Sequence, residues 1–295
     1  MGLARAVWIS LRSRQWVKNL FVLAGVIFSQ NLFTPLLWPA LAAFALFCAL
    51  SGGIYLLNDV ADYDKDRLHP TKRLRPVASG ALPRQAALGI GATILLVSLA
   101  LSFFLSRLFG WVALGYVVLL VAYSAGLKRM VIVDALTVSV GFVLRAVAGA
   151  VVIDVEISGW LLICTILLAL FLALGKRRHE LLTLEGVAAN HRPILVEYSA
   201  GLLDQMIAVV TASTVTAYAL YTMSAETVAK FHTRLLPLTL PFVLYGIFRY
   251  LYLLYRRQLG GNPSELFLSD RALLLNTLLW ILAVILILYL AARLG

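Results

Sequence analysis

Long apolar segments alternate with shorter polar ones along this chain of 295 residues. Most apolar segments approach the roughly 20 residues that a helix needs to cross the hydrocarbon core of a bilayer. The first segment has the shortest apolar centre, because Lys18, Asn19 and Gln30 interrupt it. The pattern predicts nine membrane-spanning helices, at about 17–35, 37–58, 86–106, 108–125, 132–153, 159–175, 203–223, 235–254 and 272–293.

The composition agrees with an all-α polytopic membrane protein. Hydrophobic residues make up 62% of the chain, and the mean hydropathy is +0.92. Because no low-complexity linker sets off a second domain, we expect one integral-membrane domain over residues 1–295. Cys48 and Cys164 lie far apart inside apolar segments, which predicts buried thiols rather than a disulfide or a metal-binding pair.

The net charge of +11 reflects membrane topology, and we expect no nucleic acid partner. Cytoplasmic loops of membrane proteins carry an excess of Lys and Arg. If the N-terminus is cytoplasmic, most cations fall on the inside, and the outside keeps only Arg107, Lys230, Arg234 and Arg293. We therefore predict that the N-terminus is inside and the C-terminus outside.

An acidic motif ends the second predicted helix, on the cytoplasmic side. Asp59, Asp62 and Asp66 are spaced i, i+3 and i+7, which places them within roughly a 60° sector of a helix, with Asn58 and Asp64 beside them. Hard divalent cations take oxygen ligands and often bridge carboxylates to substrate phosphates. The spacing favours a metal-diphosphate site, and the alternative is a solvated, charged helix end outside the membrane.

Two further polar groups interrupt the apolar segments. Asp134 and Arg145 lie in the fifth predicted span, where a buried arginine is costly unless it has a partner or faces a wet cavity. Arg145 is therefore a candidate functional residue, with a structural ion pair as the alternative. The sixth span ends in Lys176-Arg177-Arg178-His179-Glu180, which fits either a topology anchor or an anion site.

Several chemistries lack their sequence motifs. The chain has no P-loop, no nucleophile elbow and no dinucleotide-binding fingerprint. His69, His191 and His232 show no metal-ligand spacing and are interpreted as surface residues. Phosphate binding is therefore expected to depend on side chains and a metal ion.

The combined motifs resemble a known family. Asn58-Asp59-x-x-Asp62-x-x-x-Asp66 is similar to the first aspartate motif of the UbiA-type intramembrane prenyltransferase superfamily. A closer resemblance, to the decaprenyl-phosphate phosphoribosyltransferases, runs from about residue 10 to 290. Its motifs are Gln15-Trp16-Val17-Lys18-Asn19, His69-Pro70-x-Lys72-Arg73-x-Arg75-Pro76-x-Ala78-Ser79-Gly80, Tyr123-Ser124-x-x-Leu127-Lys128, Gly141-Phe142-x-Leu144-Arg145-x-x-Ala148-Gly149 and Gly175-Lys176-Arg177.

The resemblance implies a fold, a location and a reaction. The fold would be a nine-helix bundle with a central cavity open to the cytoplasmic side, in a bacterial cytoplasmic (inner) membrane. The reaction would transfer the 5-phosphoribosyl group from 5-phosphoribosyl 1-diphosphate (PRPP) to a polyprenyl phosphate and release pyrophosphate. The product would be a precursor of lipid-linked arabinose for cell-wall polysaccharide. The resemblance leaves the oligomeric state and the chain length of the lipid open.

The resemblance also assigns roles to residues. Mg²⁺, with Mn²⁺ as the alternative ion, would bind Asn58, Asp62 and Asp66, supported by Asp59. A nearby free carboxylate, Asp64 or Asp134, would stabilise the positive charge that develops on the ribose. The phosphate groups would be bound by Lys18, Asn19, Lys72, Arg73, Arg75, Tyr123, Lys128, Arg145, Lys176 and Arg177.

Two rival functions remain open. A prenyltransferase that uses a prenyl diphosphate and an aromatic acceptor would carry a second carboxylate cluster after the sixth span, where this chain has Glu180, Glu185 and Glu197, well separated. A transporter for a phosphorylated lipid or sugar would show helices interrupted near the bilayer midplane, whereas Pro237 and Pro241 lie near the start of a predicted span.

Overall fold

Helices are the regular secondary structure of the described part of the chain. The structure is a computed structural model that describes residues 2–183 and 193–294, and it contains no strand within those ranges. The α-helices are α1 (Leu3–Ser10), α2 (Ala24–Phe28), α3 (Leu37–Ala61), α4 (Tyr63–Leu68), α5 (Arg84–Leu105), α6 (Arg107–Ala125), α7 (Val133–Val151), α8 (Gly159–Thr183), α9 (Ala200–Met223), α10 (Ala225–Phe231), α11 (Leu240–Arg256), α12 (Pro263–Ser269) and α13 (Arg271–Leu294). Five 3₁₀ helices lie between α-helices of the described ranges, at Ser13–Leu23, Lys72–Leu74, Leu127–Arg129, Pro193–Glu197 and Leu236–Thr239.

Eight of these helical segments in the described ranges are long and apolar enough to cross a membrane. They match eight of the predicted spans with boundaries that differ by a few residues at most ends. The largest difference is at α8, which continues to Thr183 instead of ending near 175. Ion pairs from Lys176 and Arg177 to Glu180 lie within this last part of α8 and support the helix there.

The first predicted span, 17–35, is not one long α-helix. Residues Ser13–Leu23 form a 3₁₀ helix, and α2 adds only five residues. A 3₁₀ run of this length is unusual, and here it turns polar side chains inward: Asn19 is buried, and Lys18 is half-buried. The prediction of nine spans is therefore confirmed for eight, and the ninth stays a prediction.

The chain divides into two compact units. The first comprises Met1–Val26, Asn31–Gly126 and Leu144–Glu156; the second comprises Ile27–Gln30, Leu127–Val143 and Ile157–Gly295. In the first unit, α3 packs against α5 and α6 around a core that includes Phe47, Phe109 and Tyr116. In the second, α8 packs against α9 around Phe171, Leu203 and Tyr250.

A close backbone contact fixes the 3₁₀ segment within the first unit. A Cβ atom added at Gly149 of α7 would lie 1.7 Å from the carbonyl oxygen of Val22. Only glycine allows the two backbones to approach so closely. This contact holds the segment that carries Lys18 and Asn19 against the end of α7.

Candidate functional site

The acidic motif lies where α3 gives way to α4 in the first unit. Asp62 separates the two helices, and backbone hydrogen bonds from Asp62 to Asn58 and from Asp66 to Asp62, both 2.8 Å, continue the helical turn across this junction. Asp59 and Asp66 therefore stay on one side, as the spacing predicts, and both are 2% exposed. Asp64 is exposed.

Arginine side chains neutralise the two buried carboxylates. Arg75 contacts both of them: its Nη1 lies 2.6 Å from Asp66 Oδ2 and 3.2 Å from Asp59 Oδ1. Arg12 forms a second ion pair with Asp59. The Nζ atom of Lys72 lies 4.0 Å from Asp66 Oδ1. A face of carboxylates that would repel itself is thus stabilised by cations from two distant parts of the chain.

Asn58 and Asp62 differ from these neighbours. Both side chains are half-buried, and neither has a hydrogen bond or ion pair with another side chain in the described ranges. Their oxygen atoms suit a hard divalent cation, which needs only one or two carboxylates when substrate phosphates complete its coordination. A cluster of three or more Asp, Glu, His or Cys side chains able to hold a metal is not found among the described residues.

His69 organises the loop after the acidic motif. Its Nδ1 atom accepts hydrogen bonds from the backbone N–H groups of Thr71 and Lys72, at 3.2 and 3.3 Å. The sequence interpretation of His69 as a plain surface residue missed this role, because a side chain that caps a turn leaves no spacing signal. The loop it shapes carries Lys72, Arg73 and Arg75, and Arg73 is exposed without an ion pair among the described residues.

Arg12 is a site residue that the sequence motifs did not identify. Its backbone is left-handed, with φ 53° and ψ 54°, a conformation that is unusual for a non-glycine residue and often marks functional sites. Its guanidinium lies 4.6 Å from the centre of the Tyr55 ring and also forms the ion pair with Asp59. The available signal was its position in the polar stretch that precedes the 3₁₀ segment.

Arg145 is held inside the first unit by neutral partners. Its Nε donates to Asn19 Oδ1 at 2.8 Å, and its Nη2 donates to the Tyr116 hydroxyl at 2.5 Å. The amide of Asn19 in turn donates to Ser51 Oγ at 3.2 Å. Arg145 and Lys18 are close enough to repel each other electrostatically, and Lys18 has no carboxylate partner in the described part of the chain. Three predicted phosphate-binding residues, Lys18, Asn19 and Arg145, are thus brought together.

Asp134 is not the free carboxylate that we expected. It is fully buried in the second unit, where its Oδ2 accepts from Arg177 Nε at 2.6 Å and its Oδ1 accepts from the Tyr198 hydroxyl at 3.0 Å. Arg177 also pairs with Glu180 at 2.7 Å. Burial raises the pKa of Tyr198, which keeps its hydroxyl protonated as a donor. Asp134 and Arg177 therefore form a structural ion pair, which does not support the predicted roles of Asp134 in charge stabilisation and Arg177 in phosphate binding.

The remaining predicted phosphate ligands are Lys176, Lys128 and Tyr123, and Lys176 shares Glu180 with Arg177. Lys176 is more exposed than Arg177 and lies 3.6 Å from Glu180. Lys128 and Tyr123 are half-buried. Of the three glutamates that follow the sixth span, Glu180 and Glu197 are described, and Glu197 is exposed. Glu185 and His191 lie outside the described residues.

Comparison with known families places these features in context. The model of the UbiA prenyltransferase family matches residues 19–270 of this chain. A solved structure of a UbiA homolog from Archaeoglobus fulgidus, bound to GPP and Mg²⁺, has a TM-score of 0.72 at 18% identity and covers 96% of this chain and 99% of that one. At this identity the likeness concerns the fold.

Two curated relatives are more similar in sequence. Decaprenyl-phosphate phosphoribosyltransferase of Corynebacterium glutamicum is 34% identical over 98% of this chain and 88% of the relative. The protein of the same name from Mycolicibacterium smegmatis is 32% identical over 95% of this chain and 90% of the relative. The similarity thus extends over both units.

Proposed function

The chain belongs to the UbiA prenyltransferase family, and we propose that it is a membrane-embedded polyprenyl-phosphate phosphoribosyltransferase. The reaction transfers a 5-phosphoribosyl group from PRPP to a polyprenyl phosphate and releases pyrophosphate. The observation that carries the proposal is the similarity over nearly the whole chain to relatives with that activity in their names.

The geometry of the acidic motif supports the donor half of this reaction. The side chains of Asn58 and Asp62 have no side-chain partner within the described ranges, and Asp66 follows Asp62 by one helical turn. These three residues fit Mg²⁺, or Mn²⁺ in its place, on the pyrophosphate of PRPP. When bound there, the cation neutralises charge on the departing pyrophosphate. Lys72, Arg73 and Arg75 contribute positive charge beside it, with arginine suited to bidentate contacts and lysine to point contacts.

The chemistry at the ribose requires little from a general base. As the bond from C1 to the pyrophosphate oxygen breaks, the electron pair leaves with pyrophosphate, and an oxygen of the polyprenyl phosphate forms the new bond to C1. That oxygen is already anionic at neutral pH, so no histidine has to remove a proton. The exposed carboxylate of Asp64 remains the candidate to stabilise positive charge on the ribose.

The cations of Lys18 and Arg145 suit the acceptor phosphate. They lie at a polar cluster that includes Asn19 and borders the apolar core around Tyr116, where a phosphate ester with an apolar tail can be neutralised. Lys128 and Lys176 are the candidates for the 5-phosphate. The protein is an integral multi-pass membrane protein, and we place its N-terminus and acidic motif on the cytoplasmic side of a bacterial inner membrane, where PRPP is available.

A competition between substrate pairs tests the proposed function. Membranes that contain the protein are incubated with radiolabelled PRPP and polyprenyl phosphate, or with a labelled prenyl diphosphate and an aromatic acid. The proposal predicts a labelled phosphoribosyl lipid with the first pair and no labelled prenylated aromatic product with the second. Label in a prenylated aromatic product, with none transferred from PRPP, would overturn it in favour of aromatic prenyl transfer.

A further inference from the structure

Four charged side chains of the first unit form one continuous chain of ion pairs. Arg12 contacts Asp59, Asp59 contacts Arg75, and Arg75 contacts Asp66. The two carboxylates are almost completely buried, whereas each arginine keeps more than a quarter of its side chain exposed. The cations can therefore reach an incoming ligand more easily than the carboxylates can.

The two carboxylates are neutralised unequally. Asp59 has two arginine partners, so it keeps one if Arg75 moves away. Asp66 has one close partner, Arg75 at 2.6 Å, and a distant one, Lys72 at 4.0 Å. Removing the close partner of a buried carboxylate leaves an uncompensated charge and is strongly unfavourable. Arg75 can leave Asp66 only when another cation replaces it.

We propose that Arg75 is an exchangeable counterion of Asp66. When a divalent cation replaces Arg75 on the Asp66 carboxylate, the Arg75 side chain moves to an incoming diphosphate. This inference rests on the proposed function, because it deepens the role of the metal-diphosphate site. Arg12 is the fixed partner that balances the negative charge of Asp59 during the exchange.

The exchange makes the binding of the two ligands depend on each other. A divalent cation alone must compete with Arg75 for Asp66, so it binds weakly. A diphosphate alone must draw Arg75 away from a buried carboxylate, which is also unfavourable. The metal-diphosphate complex supplies a cation to Asp66 and an anion to Arg75 at once. The site therefore binds this complex more tightly than it binds the metal ion or the diphosphate alone.

Titration with a metal ion alone tests the exchange. The probe is Mn²⁺, added to the purified full chain in detergent and followed by the electron paramagnetic resonance signal of free Mn²⁺, without PRPP, pyrophosphate or polyprenyl lipid. An arginine next to a carboxylate lowers the affinity of the carboxylate for a proton by about tenfold or more. We expect the same competition for Mn²⁺, so Arg75→Gln should bind Mn²⁺ at least about tenfold more tightly than the natural chain.

Arg67 provides the matched control. It neighbours Asp66 in α4, is exposed, and stacks at 5.5 Å on the Tyr63 ring instead of pairing with the acidic motif. Arg67→Gln removes the same charge nearby and should leave Mn²⁺ affinity within about twofold of the natural chain, because exposed charges interact weakly. Equal Mn²⁺ affinities for the two variants would overturn the proposal.

A second variant traces the effect to Asp66. In Arg75→Gln combined with Asp66→Asn, the gain in Mn²⁺ affinity should disappear, and its persistence would overturn the proposal. If Arg75→Gln proves unstable, Mn²⁺ should raise its unfolding temperature more than that of Arg67→Gln, and an equal rise would count against the exchange. Because no substrate is present, a failure here is distinguishable from a failure of the proposed reaction.

Discussion

Asp59 and Asp62 lie three positions apart in the acidic motif and have different environments. Asp59 is buried and paired with Arg12 and Arg75, whereas Asp62 is half-buried without a side-chain partner in the described ranges. A carboxylate that already neutralises two guanidinium groups is poorly placed to bind a metal ion. Asp62 is therefore the residue of this pair whose loss should affect chemistry most directly.

Substituting Asp62 by Asn tests its role as a metal ligand. The change removes an anionic oxygen ligand without altering the shape of the side chain, so we expect phosphoribosyl transfer to fall by about a hundredfold or more while the unfolding temperature stays close to that of the natural chain. Rate assays over a range of Mg²⁺ concentrations measure the effect. Glu226→Gln, an exposed substitution at the start of α10, should retain full activity. Appreciable Mg²⁺-dependent turnover in Asp62→Asn would reject the assignment.

The ion pair of Asp134 and Arg177 makes a stability prediction. Asp134→Asn leaves Arg177 buried with one fewer carboxylate, and breaking a buried pair in this way costs about 3–5 kcal/mol. Thermal unfolding of the purified protein measures the loss. Asp204→Asn is the matched control, because Asp204 pairs with the adjacent Arg178 at a side chain that is 38% exposed, where about 1 kcal/mol or less is expected. Equal shifts in the two variants would refute a buried structural role.

The sequence identified these residues more easily than it identified their partners. A polar residue in an apolar segment is visible in the sequence, so Asp134 and Arg145 were found as candidates. Their partners come from other helices: Arg145 pairs with Asn19 and Tyr116, and Asp134 pairs with Arg177. Such contacts depend on how helices pack, which one sequence does not contain.

At the scale of helices, the apolar pattern predicted eight long elements, whereas the first predicted span is not one long α-helix. A run of apolar residues is sufficient evidence for a span such as Leu37–Ala61, because backbone groups in a bilayer must bond within the helix. The Ser13–Leu23 segment instead follows from a tertiary contact, the close approach of Val22 to Gly149. Hydrophobic periodicity carries no information about that contact.

Substituting Gly149 by Ala tests the importance of this contact. The added Cβ would meet the Val22 carbonyl group at 1.7 Å, so the 3₁₀ segment has to move, at a cost of about 1–3 kcal/mol or more. Because the segment carries Lys18 and Asn19, we also expect weaker binding of the lipid acceptor, measured as a raised KM for polyprenyl phosphate.

Gly115 of α6 is the control for this substitution. A Cβ atom added there has no neighbour within 4 Å, and replacing a helical glycine by alanine is expected to stabilise by about 1 kcal/mol. An unfolding temperature and KM that are unchanged in Gly149→Ala would show that the backbone contact does not position the segment.

At the scale of the whole molecule, the distribution of cations predicts the orientation in the membrane. Lys230 and Arg257 are both exposed and lie on opposite sides of one helical segment that is long and apolar enough to cross a membrane, Leu236–Arg256. We expect Lys230→Cys to react with a membrane-impermeant maleimide in intact cells, and Arg257→Cys to react only after the membrane is opened. The reverse labelling pattern would contradict a cytoplasmic N-terminus.

An assay of the reaction with purified components tests the proposed phosphoribosyl transfer directly. Purified protein, Mg²⁺, PRPP and decaprenyl phosphate are incubated, and the lipid products are analysed by mass spectrometry together with released pyrophosphate. We predict a lipid that carries one additional phosphoribosyl group, with one pyrophosphate released per lipid formed, and about a hundredfold less of both products with Asp62→Asn. A lipid of unchanged mass in the presence of folded protein would contradict the proposed phosphoribosyl transfer.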